Sequence, residues 1–430
     1  MNRARTVAQR AEEALRNLNA LMLVALLAGC GAPQEELPEY VLPPEWAPHD
    51  AVWFNYNGNA IDTVLDQVVV ALLPSTFVVC VADDDSLAMR TVARWDSLGI
   101  MRDRYRMEVL GETIMTGTVR DMGPIFLRQR DGTLAVLDAD WNYYGDHENL
   151  VGSSAEMLAQ QDSFPTMIAR RLGLPVVHSN LVIEGGAVEV NGAGILLQVE
   201  AVTMQRNPGW SKDSMEQEYK RIFGVQEIIW LKDGPVDDTW YMDPRVHGNV
   251  FCQGTGGHVD EFCRFVNDST VLLAWPDDVD LTDSLQLITR QRMDVNLRIL
   301  EQFRDRDGRA LHVIKVPTPE IEFNAHVMNT ERSYDQMLLK ENKDLQAGDT
   351  IRYIPAASYL NFLITNGRVF VPAYWQEGKP ASTKAKDDRM QAVMKKTFPD
   401  RSIVQLDPRE INWRGGGVHC WTQQQPFAKE

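Results

Sequence analysis

Four short hairpins constrain this chain more than any other feature. Ile125–Arg130 meets Asp131-Gly132 and returns as Thr133–Leu137, and Val182–Val190 meets Asn191-Gly192 and returns as Ile195–Val199. Phe262–Val266 meets Asn267-Asp268 and returns as Thr270–Ala274, and Tyr359–Thr365 meets Asn366-Gly367 and returns as Arg368–Pro372. Asn-Gly and Asp-Gly between apolar runs signal tight hairpins because both central residues must tolerate positive φ. Helical patterns separate the hairpins, over Ser153–Arg171 (interrupted by Pro165), Ser214–Phe223, Leu281–Phe303 and Lys386–Phe398. In the third, Leu285, Ile288, Val295 and Ile299 are expected to form one core-facing stripe, with Asp280 or Thr282 capping its start. Upstream, a strand at Ala51–Phe54, a helix over Ile61–Leu73, a strand over Thr76–Val81, a helix over Ser86–Leu98 and a strand over Met107–Leu110 continue the alternation. A ββαβ unit cannot bury its apolar face alone, so several should close around one another. The expected fold is α/β, a propeller-like ring forming a single domain over residues 46–430 with a central funnel.

Polar residues recur at the leading ends of these hairpins. Asp121 stands just ahead of the first, Glu184 lies in the leading segment of the second, His258 and Asp260 precede the third, and Asn361 lies in the leading strand of the fourth. In a ring of equivalent units these positions point towards one axis. A further stretch, Gly415-Gly416-Gly417-Val418-His419-Cys420, places a thiol behind three glycines that permit close backbone approach, which suits a nucleophile site. The alternative is a glycine turn leading into a half-buried strand whose cysteine is a small hydrophobe.

His258 and Asp260 are two apart, so on a strand both face one side, and with Cys420 they supply an acid/base, a carboxylate and a nucleophile. Asp121 and Asp260 are candidates for clamping a planar guanidinium, whose paired N–H donors carboxylates accept bidentately. Their structural alternatives are an ion pair with Arg120 or a turn contact for Asp121, and a solvated charge for Asp260. His419, adjacent to Cys420, would face away from it on a strand and serve in support or packing. No CxxC or HExxH pattern appears, so no metal site is expected. The net charge of −17 disfavours nucleic acid and anionic membrane surfaces and attracts cationic small molecules or basic peptides.

The N-terminus reads as a processing segment. Arg3, Arg5, Arg10 and Arg16 precede the apolar run Leu18–Leu27, and Leu27-Ala28-Gly29-Cys30 is similar to a bacterial lipoprotein box, with Cys30 as the lipidation site. On this reading residues 1–29 are a signal peptide, residues 30–45, rich in proline, are a flexible tether, and the exported protein is membrane-anchored only through its lipid; a soluble N-terminal helix is the alternative. Cys80 reads as core, and in an oxidising compartment Cys252 and Cys263 are candidates for a disulfide.

The stretch Pro43-Pro44-Glu45-Trp46-Ala47-Pro48-His49-Asp50-Ala51-Val52-Trp53 resembles the opening of agmatine deiminases and Porphyromonas-type peptidylarginine deiminases. Arg120-Asp121-Met122-Gly123-Pro124, Glu184-Gly185-Gly186, Gly257-His258-Val259-Asp260 and Gly417-Val418-His419-Cys420-Trp421-Thr422-Gln423-Gln424 match further blocks of that family in order, so the resemblance spans Pro43 to Pro426. It implies a five-bladed α/β propeller that hydrolyses a guanidino group to a ureido group and ammonia without a cofactor. Cys420 would attack the guanidinium carbon while Asp121 and Asp260 hold its nitrogens. His258 would protonate the leaving ammonia and then activate water, and Glu184, Asn361 and Trp53 would line the substrate side. Agmatine deiminases usually carry Gly-Gly-Gly-Asn-Ile-His-Cys, one residue longer than the run here. That departure and the export signal point to arginine in peptides as the substrate. The alternatives are agmatine, whose deimination feeds putrescine biosynthesis, and a surface lipoprotein that binds guanidines without turnover.

Overall fold

The structure, a computed structural model, describes residues 38–428 apart from 74, 112–117, 147–152 and 241. The signal peptide, Cys30 and the first half of the expected tether, residues 30–37, lie outside these residues.

Five sheets repeat one construction, an antiparallel pair whose second strand is joined in parallel by a third. The triplets are Ile125–Gln129, Leu134–Asp140 and Val176–Val182; Glu189–Val190, Ile195–Val199 and Glu227–Leu231; Cys263–Phe265, Thr270–Ala274 and His312–Val316; and Leu363–Thr365, Arg368–Pro372 and Ser402–Leu406. In the fifth, Thr422–Pro426 pairs antiparallel with His49–Asn55, which runs parallel to Phe77–Ala82 and then Tyr105–Val109. Helices make the crossovers that a parallel third strand requires: Ser153–Asp162 with Phe164–Leu172, Glu200–Arg206 with Lys212–Phe223, Ser284–Gln302, Ala381–Thr397 and Ile61–Leu72. The helix break expected at Pro165 falls there, with Pro165 in the first turn of the second helix, where its missing N–H costs nothing. A sixth sheet, Arg245–His247, Val250–Cys252, Thr350–Ile354 and Asn324–Val327, departs from this pattern. The chain is thus α/β with mixed sheets.

Three local expectations are corrected. The leading strand of the second hairpin is only Glu189–Val190, because residues 185–187 turn as a 3₁₀ helix. In the helix Ser284–Gln302 the expected stripe holds at Leu285, which is buried, and at Ile288 and Ile299, which pack half-buried against the core, but Val295 is 41% exposed and Met293, Leu297 and Leu300 complete the buried apolar set. The inner face is wider than the stripe because polar residues find backbone partners there: Gln286 donates to the Pro319 carbonyl at 2.8 Å, and Asn296 accepts from the Lys232 N–H at 2.8 Å and donates to the Asp233 carbonyl at 2.9 Å. Its cap is Asp283, which accepts from the Leu285 N–H, whereas Asp280 serves the preceding 3₁₀ turn. Cys252 and Cys263 are free buried thiols in different sheets, so they form no disulfide; the Cys252 thiol donates to the Asp237 carbonyl.

The expected tether is also shorter than its sequence suggests. Tyr40–Val41 forms a strand against Gln129 and Arg128, and the Leu42 N–H donates to the Phe223 carbonyl. Backbone pairing draws residues 39–45 into the fold, where an unpaired apolar Leu-Pro-Pro segment would otherwise lie in water.

Candidate active site

The glycine run does what its composition suggests. Gly415 and Gly416 have φ of +82° and +100°, and a Cβ on Gly416 would stand 2.8 Å from the Cys420 sulfur. Gly417 has no such φ but is equally cramped, since a Cβ there would lie 2.6 Å from Asn361 Oδ1. Cys420, 2% exposed, lies within the turn that precedes Thr422–Pro426 and is not itself in a strand. His419 therefore does not face away as strand alternation predicts: its ring reaches Asp260, Nδ1 to Oδ2 at 2.7 Å.

Three further pieces of chain converge on this turn. Asp121 sits in the short helix Val119–Met122, held by the Gly186 N–H at 3.0 Å and by the Thr118 and Tyr144 hydroxyls at 2.8 Å each. His258 and Asp260 lie at the start of and within the 3₁₀ turn Val259–Glu261 rather than on a strand. That turn is pinned by Asp238, which accepts from the N–H groups of Thr255, Gly257 and His258 at 2.5, 3.1 and 2.8 Å. Glu184 reaches His258 Nε2 at 2.5 Å and pairs on its other side with Arg206 at 2.6 Å. A Cβ on Gly186 would lie 2.6 Å from His258 Nδ1, 2.8 Å from Asp121 Oδ1 and 3.1 Å from Asp260 Oδ2, so these three groups surround one small volume. Cys420 Sγ is 3.6 Å from Asp260 Oδ2 and 3.2 Å from Asn361 Nδ2.

Asn361 ties the parts together. Its amide nitrogen faces Asp260 Oδ2 at 3.2 Å and Glu261 Oε1 at 2.9 Å, and its oxygen accepts from the His419 N–H at 2.8 Å. It stands just before the strand Leu363–Thr365 rather than within it. Behind the thiol, Glu45 meets His419 Nε2, the Arg264 guanidinium at 2.5 Å and the Arg120 guanidinium at 3.3 Å. Trp53, expected on the substrate side, belongs to the core: its ring packs on Phe126 with centroids 6.0 Å apart, and its Nε1 donates to Gln425.

The electrostatics follow from burial and neighbours. Burial opposes charge on His258, but Asp121 and Glu184 overcome it and raise the imidazole to about 9. Burial likewise opposes ionisation of Glu184, yet Arg206 and His258 bring it down to about 2. Burial raises Asp121, whereas for Asp260 the His419 contact outweighs burial and lowers it. Burial and then the carboxylates of Asp260, Glu261 and Asp121 push the Cys420 thiol well above its usual range. Asp260 Oδ1 and His258 Nδ1 are buried without a hydrogen-bond partner among the described residues. His258 Nδ1 still lies 3.5 Å from Asp121 Oδ1, and a buried volume bordered by two carboxylates and an imidazole without a full set of hydrogen bonds fits a polar, positively charged group. Among the described residues, a metal ion would find its best ligand set in Asp260, Glu261 and Cys420, whose ligand atoms lie within 4.8 Å of one another.

The structure therefore gathers Cys420, His258, Asp260, Asp121, Glu184 and Asn361 and leaves out Trp53. Sequence reasoning missed Glu45, Asp238, Glu261, Arg206 and Tyr144. Glu45 was visible as part of the Pro-Glu-Trp block, whereas Arg206 and Asp238 carried no local signal. Tyr143 and Tyr144 both have φ of 54° and line, with Trp141, Met122 and Thr255, a cavity beside Asp121. Two successive non-glycine residues in the left-handed region store strain at the site's edge.

The sequence model of the Porphyromonas-type peptidyl-arginine deiminase family matches residues 41–426. The chain is similar to agmatine deiminase of Stutzerimonas stutzeri, 30% identical over 90% of this chain and 95% of the relative. It is also similar to agmatine deiminase of Pseudomonas aeruginosa, 29% identical over 90% of this chain and 96% of the relative. Among solved structures, agmatine deiminase of Enterococcus faecalis shares the fold with a TM-score of 0.69 at 23% identity, covering 91% of this chain and 97% of that one.

Proposed function

The chain belongs to the Porphyromonas-type peptidyl-arginine deiminase family, hydrolases of guanidino C–N bonds, and we propose that its substrate is agmatine or a similarly slender guanidine. The names of the full-length relatives favour agmatine over the arginine peptide expected from the sequence. Burial of His258 and Asp260 supports a reactive group carried on a narrow chain. We further infer that the five sheets of matching construction stand around one axis as blades, with the polar residues at their inner ends.

The convergence of His258 Nδ1, Asp121 Oδ1 and Asp260 Oδ2 around one volume beside Cys420 carries the reading. Asp121 and Asp260 receive the guanidinium N–H groups, and the incoming positive charge offsets the carboxylates that hold the thiol protonated, so Cys420 gives up its proton to solvent as substrate binds. The thiolate adds to the guanidinium carbon, forming a C–S bond. The C–N bond then breaks as His258, protonated at neutral pH, gives its proton to the departing nitrogen, which leaves as ammonia. The neutral imidazole next takes a proton from water and hydroxide adds to the thiouronium carbon; the C–S bond then breaks as the new hydroxyl group's proton passes to the departing sulfur, returning the Cys420 thiol and releasing the ureido product. Glu184, locked by Arg206, orients His258 through Nε2 and leaves Nδ1 for the proton transfers.

The purified protein is offered agmatine, a peptide ending in arginine and a peptide with internal arginine, and ureido product and ammonia are measured. Turnover of agmatine, abolished in Cys420→Ala, is expected. Turnover of the peptides alone would replace the substrate assignment, and binding of all three without product would leave a guanidine-binding protein in its place.

A further inference from the structure

Glu45 lies outside the reacting groups, yet its side chain is the outer member of a chain of contacts ending at one of them. One carboxylate oxygen faces His419 Nε2 and, at 3.3 Å, Arg120 Nη1; the other is 2.5 Å from Arg264 Nη2. The opposite ring nitrogen of His419 holds Asp260 Oδ2 at 2.7 Å. Asp260 Oδ1, by contrast, has no hydrogen-bond partner among the described residues. The Arg264 guanidinium is fully committed, with Nε on Glu189 at 2.6 Å and Nη1 on the Leu360 and Phe362 carbonyls at 3.1 Å each. Arg120 is spent on the His419 carbonyl and on Gln424. The guanidinium groups around Glu45 are thus fixed by other partners, and they fix Glu45 in turn.

We infer that Glu45 is a positioning residue that, by holding His419, works with Asn361 to fix Asp260 Oδ2, the carboxylate oxygen that borders the volume shared with His258 and Asp121. The inference rests on the role given to Asp260 above. It makes the segment after the expected tether a working part of the site: the strand Tyr40–Val41 anchors the approach, and Glu45 is the first side chain beyond it to reach the centre. A carboxylate free to rotate would offer the substrate two exchangeable oxygens in shifting geometry. One fixed at Oδ2 presents a single acceptor in a constant direction, which is what a supporting contact contributes to a reacting group. Contact with His419 is also the main influence that keeps Asp260 ionised against its burial.

Glu45→Gln and Glu45→Asp in the full-length protein test this against wild type, with agmatine turnover followed across the pH range and thermal unfolding in parallel. Glu45→Gln is expected to lower kcat by about tenfold or more, in the range of lost supporting contacts, and to move the acid limb of the pH profile upward. Glu45→Asp, which keeps the charge, should restore part of both. A Glu45→Gln enzyme with wild-type kcat and an unmoved acid limb overturns the inference. So does a loss that disappears on cooling to where the variant is fully folded. If wild type turns over no guanidine, the function proposed above fails separately. Glu45 is then judged by the pH dependence of Cys420 alkylation with iodoacetamide, since the thiol sits 3.6 Å from Asp260 Oδ2: a displaced profile in Glu45→Gln upholds it, and a superimposable one overturns it.

Discussion

His258 is held cationic by two carboxylates in a place where burial alone would have kept it neutral, and this fixes the direction of its pH dependence. With the imidazole raised to about 9, the proposed proton donor is present below that pH and lost as pH rises through it. The rate of the ammonia-releasing step should therefore fall above about pH 9, and stopped-flow measurement of ammonia release across the alkaline range checks it. His258→Gln should lower kcat by about 10²–10⁴-fold and abolish that limb; an unchanged limb in the variant would assign it to another group. At this scale the sequence was informative about identity and silent about conformation. Cys420, His258, Asp121 and Asp260 were readable from their setting beside glycines and at hairpin entrances. Their backbone was not, since the strand geometry assumed for His258, Asp260 and His419 is replaced by turns, and so His419 faces the site. Glu45 illustrates a different limit: nothing local connects it to a histidine 374 residues away.

The hairpins divide into those whose turn is only a turn and those whose turn also supports something. Gly192 and Gly367 both have φ of +70°, but a Cβ on Gly192 would stand 2.6 Å from Pro44, whereas nothing lies within 4 Å of one on Gly367. Gly367→Ala should cost only the left-handed strain, about 1–2 kcal/mol, with kcat unchanged. Gly192→Ala should lose that much and also displace Pro44, the residue before Glu45, so a melting curve and a kcat measurement on both variants ought to separate them. Equal kcat in the two would deny the link between this turn and the site. Four hairpins were visible because each is local, with two turn residues between apolar runs. The fifth antiparallel pair was invisible for the opposite reason: Val52 pairs with Gln424, and no window of sequence contains both. In Ser284–Gln302 the expected stripe departs only at Val295, because inward polar residues bonded to backbone defeat an apolar count.

Across the whole molecule, the charge of −17 surrounds a site that receives cations. Long-range attraction should raise the encounter rate at low salt and fade as the screening length drops from about 30 Å at 0.01 M to about 8 Å at 0.15 M. A decrease of kcat/KM for agmatine by about threefold or more over that range is expected, and a steady-state salt series tests it. Independence of salt would mean that the field at the entrance is already neutralised by residues such as Arg414, which lines the cavity beside Asp121. The α/β class was legible in the alternation of hairpins and helices. The sixth sheet was not, because Arg245–His247 and Val250–Cys252 are too short to stand out and their partner Thr350–Ile354 lies about a hundred residues on. The closure of the fifth sheet also orders events in time. His49–Asn55 is made early, but its antiparallel partner Thr422–Pro426 is translated after every other strand, and until then one edge of an apolar strand stays open to stray pairing. The same late arrival delivers Cys420, so a growing chain lacks the proposed nucleophile until the segment that completes this sheet has been made.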